Sequence, residues 1–483
     1  MSTLARNTMY LTAASVAQKA IAFVYFTIVA NQIGKAGQGD YFLALSVTTI
    51  LSVVSDWGLS AVLIREIAHD PSQAVKLTRS TLGLKIPLIL LGMGGAVALA
   101  ILLNYDLSII KLVALATLIL AADAISLTFF GVLRGLQNLR YESLGIFVGQ
   151  ILSATAGLIA LRFHPTLSVL ILALLVGSVW NAIYSATRVA KHLGWKAILP
   201  SFDAPRAKQL LRLSLAFALA SLFVKIYSYI DSILLKQFMG SEAVGTYSIA
   251  YKITYAFQFL PMAFIGGLYP AMASRFANGD KDGVAKIFDD AVWYTIILAV
   301  PITFGIASLS GEIIQAFYPK FYDAAVPLTI MIFALLVLFV DFPVGSLLNA
   351  ARKQNVKTII MGVTMIINAA LNVLLIPRLG IAGAAVTAVI AFTFMLAAGL
   401  VYVPRLVPYP ISTFLRRVLP VVFCGALMGG VVLLIKSYLP LPATILVGAA
   451  IYFIGLLLTR SLTIAQLRYI RRLIKPEPNG LEL

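Results

Sequence analysis

The chain has 483 residues, 60% of them hydrophobic and only 12% charged, about half the charged fraction of an average soluble domain. Its 37 Lys and Arg outnumber 19 Asp and Glu, a net charge of +18, yet these bases sit in short gaps between long apolar runs and not on the broad polar surface of a nucleic-acid-binding protein. A soluble enzyme, a DNA-binding protein and a secreted scaffold are thereby excluded; the lone Cys424 and the scattered His69, His164 and His192 supply neither a disulfide nor a metal-ligand cluster.

A helix that crosses the hydrocarbon needs about 20 mostly apolar residues, and about fourteen runs qualify. The first, roughly 9–32, carries Lys19 and leads into a glycine-rich turn. No cleavable signal peptide is expected ahead of it, because Lys19 interrupts the run and no small-residue cleavage site follows. The second, roughly 41–64, carries Asp56 ahead of Trp57-Gly58-Leu59, where the helix is expected to be irregular. Runs at 81–103, with Lys85 near its inner end, and 109–132, with Asp123, follow; 144–162 and 166–188 complete a lobe of six spans, 1–188. A basic linker, 189–210, leads to 211–238, which holds Lys225 and Asp231. The run 244–274 holds Lys252 and is predicted to be kinked by Pro261 and Pro270. After it come 291–309, 325–350 with Asp341, 357–376 and 380–403, closing a second lobe, 211–403. Two further runs, 414–437 and 441–460, and a basic tail make an appendage, 404–483. The predicted class is an all-α polytopic membrane protein with about fourteen transmembrane helices.

Charge in the gaps gives orientation. Of the 37 bases, 26 fall in alternate gaps beginning with the N-terminus, 7 in the others, and Lys19, Lys85, Lys225 and Lys252 lie inside runs. Both termini are therefore expected in the cytoplasm, and the net charge reflects topology and anionic inner-leaflet lipid, with no nucleic-acid partner. No gap is long enough for a catalytic domain, and no phosphate-binding loop or zinc motif occurs. Asp280-Lys-Asp282-Gly283 resembles the start of a calcium loop without its later ligands, and is expected to be a solvated turn.

The lobes repeat. At a constant offset of 206, Ser15 falls on Ser221, Lys19 on Lys225, Gly34 on Gly240, Gly39 on Gly245 and Tyr41 on Tyr247. Both spans run from inside to outside, so the repeat is parallel, and two six-span lobes enclose a central cavity near the midplane. A weaker echo relates Leu133-Arg-Gly135-Leu-Gln-Asn138 to Leu348-Asn-Ala350-Ala-Arg-Lys353.

At 1.5 Å per residue, Lys19 and Lys225 lie about 20 Å from the outer ends of their spans, and Asp56, Asp123 and Asp341 roughly 21–23 Å. Asp231 and Lys252 lie about 10–12 Å deep. Charges at such depth face a bundle interior or wet cavity, because lipid exposure costs several kcal/mol. Lys19 and Lys225 are expected to flank the cavity and receive an anionic headgroup. Asp231 and Lys252 are expected to form an ion pair and outer gate; Asp56, Asp123 and Asp341 serve ion coupling or conformational change, with capping of freed amides an alternative for Asp56. Lys85 is expected to snorkel. Tyr25, Tyr227, Tyr229, Tyr255, Gln150, Gln258, Asn368 and Asn372 offer hydrogen bonds to sugars.

The chain resembles the multidrug/oligosaccharidyl-lipid/polysaccharide (MOP) exporter superfamily, and within it the polysaccharide transporter branch with the O-antigen (Wzx-type) flippases. The resemblance rests on Gly34-Lys-Ala-Gly-Gln-Gly39-Asp-Tyr41, Asp56-Trp-Gly58-Leu59 with Arg65-Glu66, Tyr269-Pro270-Ala-Met-Ala-Ser274-Arg275 and Leu379-Gly380-Ile-Ala-Gly383-Ala384-Ala385, in this order. It implies a V-shaped pair of lobes that flips a polyprenyl-diphosphate-linked oligosaccharide by ion-coupled alternating access in the inner (cytoplasmic) membrane. The carrier would be undecaprenyl in a bacterium and dolichyl in an archaeon. Polysaccharide assembly proteins are expected partners; no catalytic residue, metal or cofactor is expected. A lipid II flippase shares the fold. A cation-coupled multidrug exporter would favour a carboxylate where Lys19 stands, and a polysaccharide polymerase or ligase would need a sizeable outward loop.

Overall fold

The computed structural model describes residues 3–462, with side chains over 16–262 and 268–462. Every regular element among the described residues is a helix, the form in which an apolar segment satisfies its own backbone polar groups. Among the described residues, twelve helical stretches are long and apolar enough to cross a membrane.

The first stretch, α1 (Thr3–Asp56), has 54 residues and as a straight rod would extend about 80 Å, well over twice the hydrocarbon thickness. Gly34 interrupts it with φ 73° and ψ −177°, a conformation open to glycine. Its repeat partner Gly240 separates α7 (Ala204–Met239) from α8 (Ser241–Tyr255) with nearly the same angles, φ 85° and ψ −176°. The offset of 206 therefore relates backbone geometry as well as residue identity. The second limb of α1 ends at Trp57 and Gly58, both at positive φ, before α2 (Leu59–His69) continues. The run 244–274 is also divided: α8 gives way to a 3₁₀ turn at 256–258, then α9 (Phe259–Ala277). The break precedes Pro261, which sits in the first turn of α9, where a missing N–H costs nothing.

The remaining N-lobe helices are α3 (Ala74–Leu102), α4 (Leu107–Gly135), α5 (Leu139–Phe163) and α6 (Leu167–Leu193). The C-lobe continues with α10 (Lys281–Ser308), short α11 (Ser310–Phe317), α12 (Ala325–Ala350), α13 (Gln354–Leu379) and α14 (Ile381–Leu406). Two more helices follow, α15 (Ile411–Ile435) and α16 (Leu441–Leu458). Helix α10 starts ten residues before the apolar run because Asp280 caps it, accepting from the Gly283 N–H at 2.8 Å while pairing with Arg275 at 2.6 Å. Those two contacts hold the Asp280 carboxyl below its ordinary range. The calcium-like tetrapeptide is thus a helix cap.

Helix α1 packs on α3, α4 and α5 in its own lobe and on α7 and α8 of the other. In the C-lobe α12 lies between α10 and α14, and α13 between α7 and α14. Helix α15 docks on α10, with Val421, Cys424, Met428 and Val432 buried against Ile296 and Val300. The weaker echo is a shared turn: α4 and α12 both end in a residue at φ 58°, Gln137 and Arg352. Each turn closes by a 2.8 Å bond, Asn138 N–H to Leu133 O and Lys353 N–H to Leu348 O. The basic residues Arg468, Arg471, Arg472 and Lys475 of the tail lie outside the described residues.

Candidate functional site

Three cavities surround the crossing of α1, α7 and α8. The central one, about 220 Å³, is lined by Lys19, Phe23 and Phe26 of α1, Tyr229 of α7, Tyr251, Lys252 and Tyr255 of α8, and Gln258. The Lys252 ammonium stands 5.5 Å from the Phe26 ring centre. Tyr251 is central to an aromatic chain, with ring centres 4.5 Å from Tyr255 and 5.8 Å from Tyr229. Among the described residues no carboxylate lies within ion-pair distance of Lys19 or Lys252.

The N-lobe cavity, about 380 Å³, is lined by Thr48, Thr49, Ser52 and Asp56 of α1, Asp123 of α4, and Ser221 and Lys225 of α7. A C-lobe cavity of about 330 Å³ holds Tyr227, Asp341, Ser346, Lys357 and Phe392 and shares Tyr251, Tyr255 and Gln258 with the central one. The repeat explains the placement. Lys19 faces Tyr251, Tyr255 and Gln258, and Lys225 shares its cavity with Leu45, Thr49 and Ser52, each at the same offset of 206. Each repeat lysine is carried by one lobe and faces the other.

The expected pairings therefore change. Lys19 and Lys225 do not share a cavity: Lys225 shares its own with Asp123, and the second base beside Lys19 is Lys252. Lys252 is not paired with Asp231. The Asp231 carboxylate, 2% exposed, accepts from the Tyr247 hydroxyl and from Asn372 Nδ2 at 2.5 Å. Lys85 does not snorkel. It is 1% exposed, and its ammonium donates to Asp56 at 2.6 Å, Ser60 Oγ at 3.0 Å and the Ala124 carbonyl at 3.1 Å. Asp56 also accepts from Ser60 at 2.5 Å, and α2 has no side-chain cap; its carboxylate answers a buried lysine instead of freed amides. Asp341 shares its cavity with Lys357.

Of the polar groups expected to meet sugars, Tyr227, Tyr229, Tyr255 and Gln258 line cavities. Tyr25 is buried against Gly157, Asn372 is committed to Asp231, and Asn368 accepts from Asn372 at 3.2 Å. Sequence reasoning missed Tyr251, although Tyr251, Tyr255 and Gln258 form a visible i, i+4, i+7 stripe.

Toward Gly34 and Gly240 the lobes are clasped. Ser241 Oγ donates to Asp40 and accepts from Lys236 Nζ, at 2.5 and 2.6 Å. The Thr27 and Tyr318 hydroxyls meet at 2.7 Å, Asn31 Nδ2 donates to the Phe317 carbonyl at 2.7 Å, and Lys35 pairs with Asp323.

The family model described as "Polysaccharide biosynthesis protein" matches residues 4–276, and MatE matches 216–374. A probable low-salt glycan biosynthesis flippase of Haloferax volcanii, Agl15, is 23% identical over 390 residues, covering 80% of this chain and 81% of that protein. A probable flippase of the same organism, AglR, is 26% identical over 39% of each chain. Among solved structures, the lipid II flippase MurJ in an inward closed conformation superposes with a TM-score of 0.76 at 16% identity, covering 97% of this chain and all of that one. An inward-facing MATE multidrug transporter gives 0.68 at 15% identity, covering 80% and 94%. The chain is a multi-pass membrane protein of the polysaccharide biosynthesis protein family, in the MOP superfamily.

Proposed function

We propose that this protein flips a polyprenyl-diphosphate-linked oligosaccharide across the cytoplasmic (inner) membrane by ion-coupled alternating access of its lobes, 1–188 and 211–403. The observation that carries the reading is the pair Lys19 and Lys252 in one inter-lobe cavity, without a carboxylate partner and beside a tyrosine wall. Two ammonium groups in a lowered dielectric attract a diphosphate more strongly than in water. The tyrosines add apolar ring faces and hydroxyls, the mixture that orients an amphipathic ligand such as a sugar. The name of the Haloferax relative Agl15, a probable glycan biosynthesis flippase, supports a glycan-linked substrate. Fourteen crossing segments with both termini inside complete the reading: the two limbs of α1 count separately, and α8 with α9 makes one. Coupling is assigned to Asp123 and Asp341, on α4 and α12. The chain is a transporter and performs no covalent chemistry.

A multidrug exporter is the weaker reading, because the acidic groups of the N-lobe cavity, Asp56 and Asp123, already face Lys85 and Lys225. The deciding experiment reconstitutes the protein in liposomes with a lipid-linked oligosaccharide, lipid II or a fluorescent organic cation. Protein-dependent transbilayer movement is expected for the lipid-linked oligosaccharide and should be lost in Lys19→Ala. Movement of the organic cation alone, or of lipid II in preference, would overturn the assignment.

A further inference from the structure

Outside the cavities, one end of the N-lobe gathers cations on aromatic rings. Tyr141, in the first turn of α5, lies under two guanidinium groups, Arg140 at 4.8 Å and Arg188 of α6 at 5.6 Å from its ring centre. Arg188 also lies 4.8 Å from the Tyr184 ring, which stacks on Trp180 at 5.5 Å. The nearby carboxylate, Glu142, is consumed by Arg134. Neither Arg140 nor Arg188 has a carboxylate within ion-pair distance among the described residues. The Arg188 Nε is buried with no hydrogen-bond partner.

What adjoins this cluster is apolar and exposed. Along α5 the outward stripe above Arg140 is Leu144, Ile151 and Leu158, 51%, 39% and 42% exposed. An apolar face that ends on a guanidinium group without a carboxylate partner has the amphipathic profile of a lipid: an acyl chain along the helix, an anionic phosphate at the arginines. Aromatic rings at that level are the side chains that settle at a membrane interface, and arginine binds phosphate through paired donors.

We propose that Arg140, Tyr141 and Arg188 form a binding site for the phosphate of an anionic phospholipid in the leaflet on the N-terminal side, with an acyl chain along α5. The site is separate from the central cavity and stands whatever that cavity carries. Trp180 reports on it. The chain has four tryptophans, and replacing Trp57, Trp195 and Trp293 with Phe leaves Trp180 alone. Its fluorescence is then measured in nanodiscs of phosphatidylcholine containing a small fraction of phosphatidylglycerol or phosphatidylcholine with brominated acyl chains. Brominated phosphatidylglycerol should quench the more strongly, with a local enrichment on the order of tenfold from two interfacial bases. Arg140→Gln with Arg188→Gln should remove the excess, and the double Lys replacement should keep most of it. Equal quenching by the two lipids, a comparison that needs no arginine substitution, overturns the site. So does an excess that survives in a well-folded Gln variant. Loss of the excess in millimolar inorganic phosphate would show a soluble-anion site, which overturns the assignment to lipid.

Discussion

Gly39 and Gly245 meet face to face across the two lobes. A Cβ on Gly39 would lie 1.8 Å from the Ser241 carbonyl oxygen and 3.0 Å from Gly245 N. One on Gly245 would lie 2.0 Å from the Lys35 carbonyl oxygen and 3.1 Å from Gly39 N. The contact is reciprocal because Gly39 with Gly245, and Lys35 with Ser241, are pairs at the offset of 206. Two backbones touch at the repeat axis, as small residues permit between membrane helices. Hydrogen is the only side chain that fits.

Gly39→Ala or Gly245→Ala should therefore wedge the lobes apart at this end and leave each lobe intact. Cysteines replacing Asp40 and Ser241 in a Cys424→Ser background should cross-link readily with native glycines and at least several-fold less with either alanine, at equal abundance. Transport should fall in parallel, because the proposed alternating access requires the clasped state. Unchanged cross-linking in both alanine variants would mean that the lobes do not need this contact to close.

Around the glycines the clasp is polar. Tyr318→Phe deletes the 2.7 Å bond to Thr27 and leaves the ring packed on Phe26, 6.4 Å between centres. One such bond is worth about 0.5–1.5 kcal/mol net, a two- to roughly tenfold shift toward the state open at this end. Maleimide labelling of a cysteine at Asn31 should accelerate by that factor in the Phe variant.

The long apolar helices were legible because hydrocarbon forces their length and composition, which follow from the solvent rather than from the fold. The break at Gly34 was legible through its echo at Gly240. The ion pairs were not, because depth along a helix says nothing of azimuth. Tyr247 and Lys252 are five residues apart on α8, about 140° around the axis, so the residue that meets Asp231 excludes the other. Lys85 seemed shallow from its apolar run, but α3 begins at Ala74, which places Lys85 about 16 Å along the helix. Lys357 looked like a gap residue, yet it lies in the first turn of α13 and faces back to the Asp341 cavity.

Topology has its own test. Cysteines at Ala36 and Tyr438, both exposed, should react from outside with an impermeant maleimide in the Cys424→Ser background. A cysteine at Arg206 should react only after permeabilisation. Labelling of Arg206→Cys in intact cells would reverse the orientation.

Lys85 and Asp56 should behave as structure. Lys85→Ala leaves a carboxylate in the bilayer core with Ser60 as its remaining partner, and breaking a buried pair costs about 3–5 kcal/mol. Membrane abundance should drop sharply in Lys85→Ala and recover when Asp56→Asn is added. Normal abundance of the single variant together with lost transport would move this pair into the working machinery.

Lys19 and Lys252 should behave in the opposite way. Among the described residues neither has a carboxylate to abandon, so Lys19→Ala and Lys252→Ala remove like-charge repulsion in the cavity and should leave abundance at or above normal. In the proposed binding mode each alanine deletes one charge-assisted contact to a diphosphate, worth about 1.5–3 kcal/mol, so translocation should fall roughly ten- to 150-fold. Residues that grip one ligand together are not additive, and the double alanine variant should be little worse than either single one; arginine replacements should retain part of the activity. Lys225→Ala is the contrast: it strands Asp123 in the N-lobe cavity, so abundance should fall and Asp123→Asn should restore abundance without restoring transport, whereas removing Asp123 should do nothing for Lys19→Ala. Abundance and transport of lipid-linked oligosaccharide are measured on the same membranes. If transport by Lys252→Ala matches the unsubstituted protein, the headgroup does not lie between these two lysines.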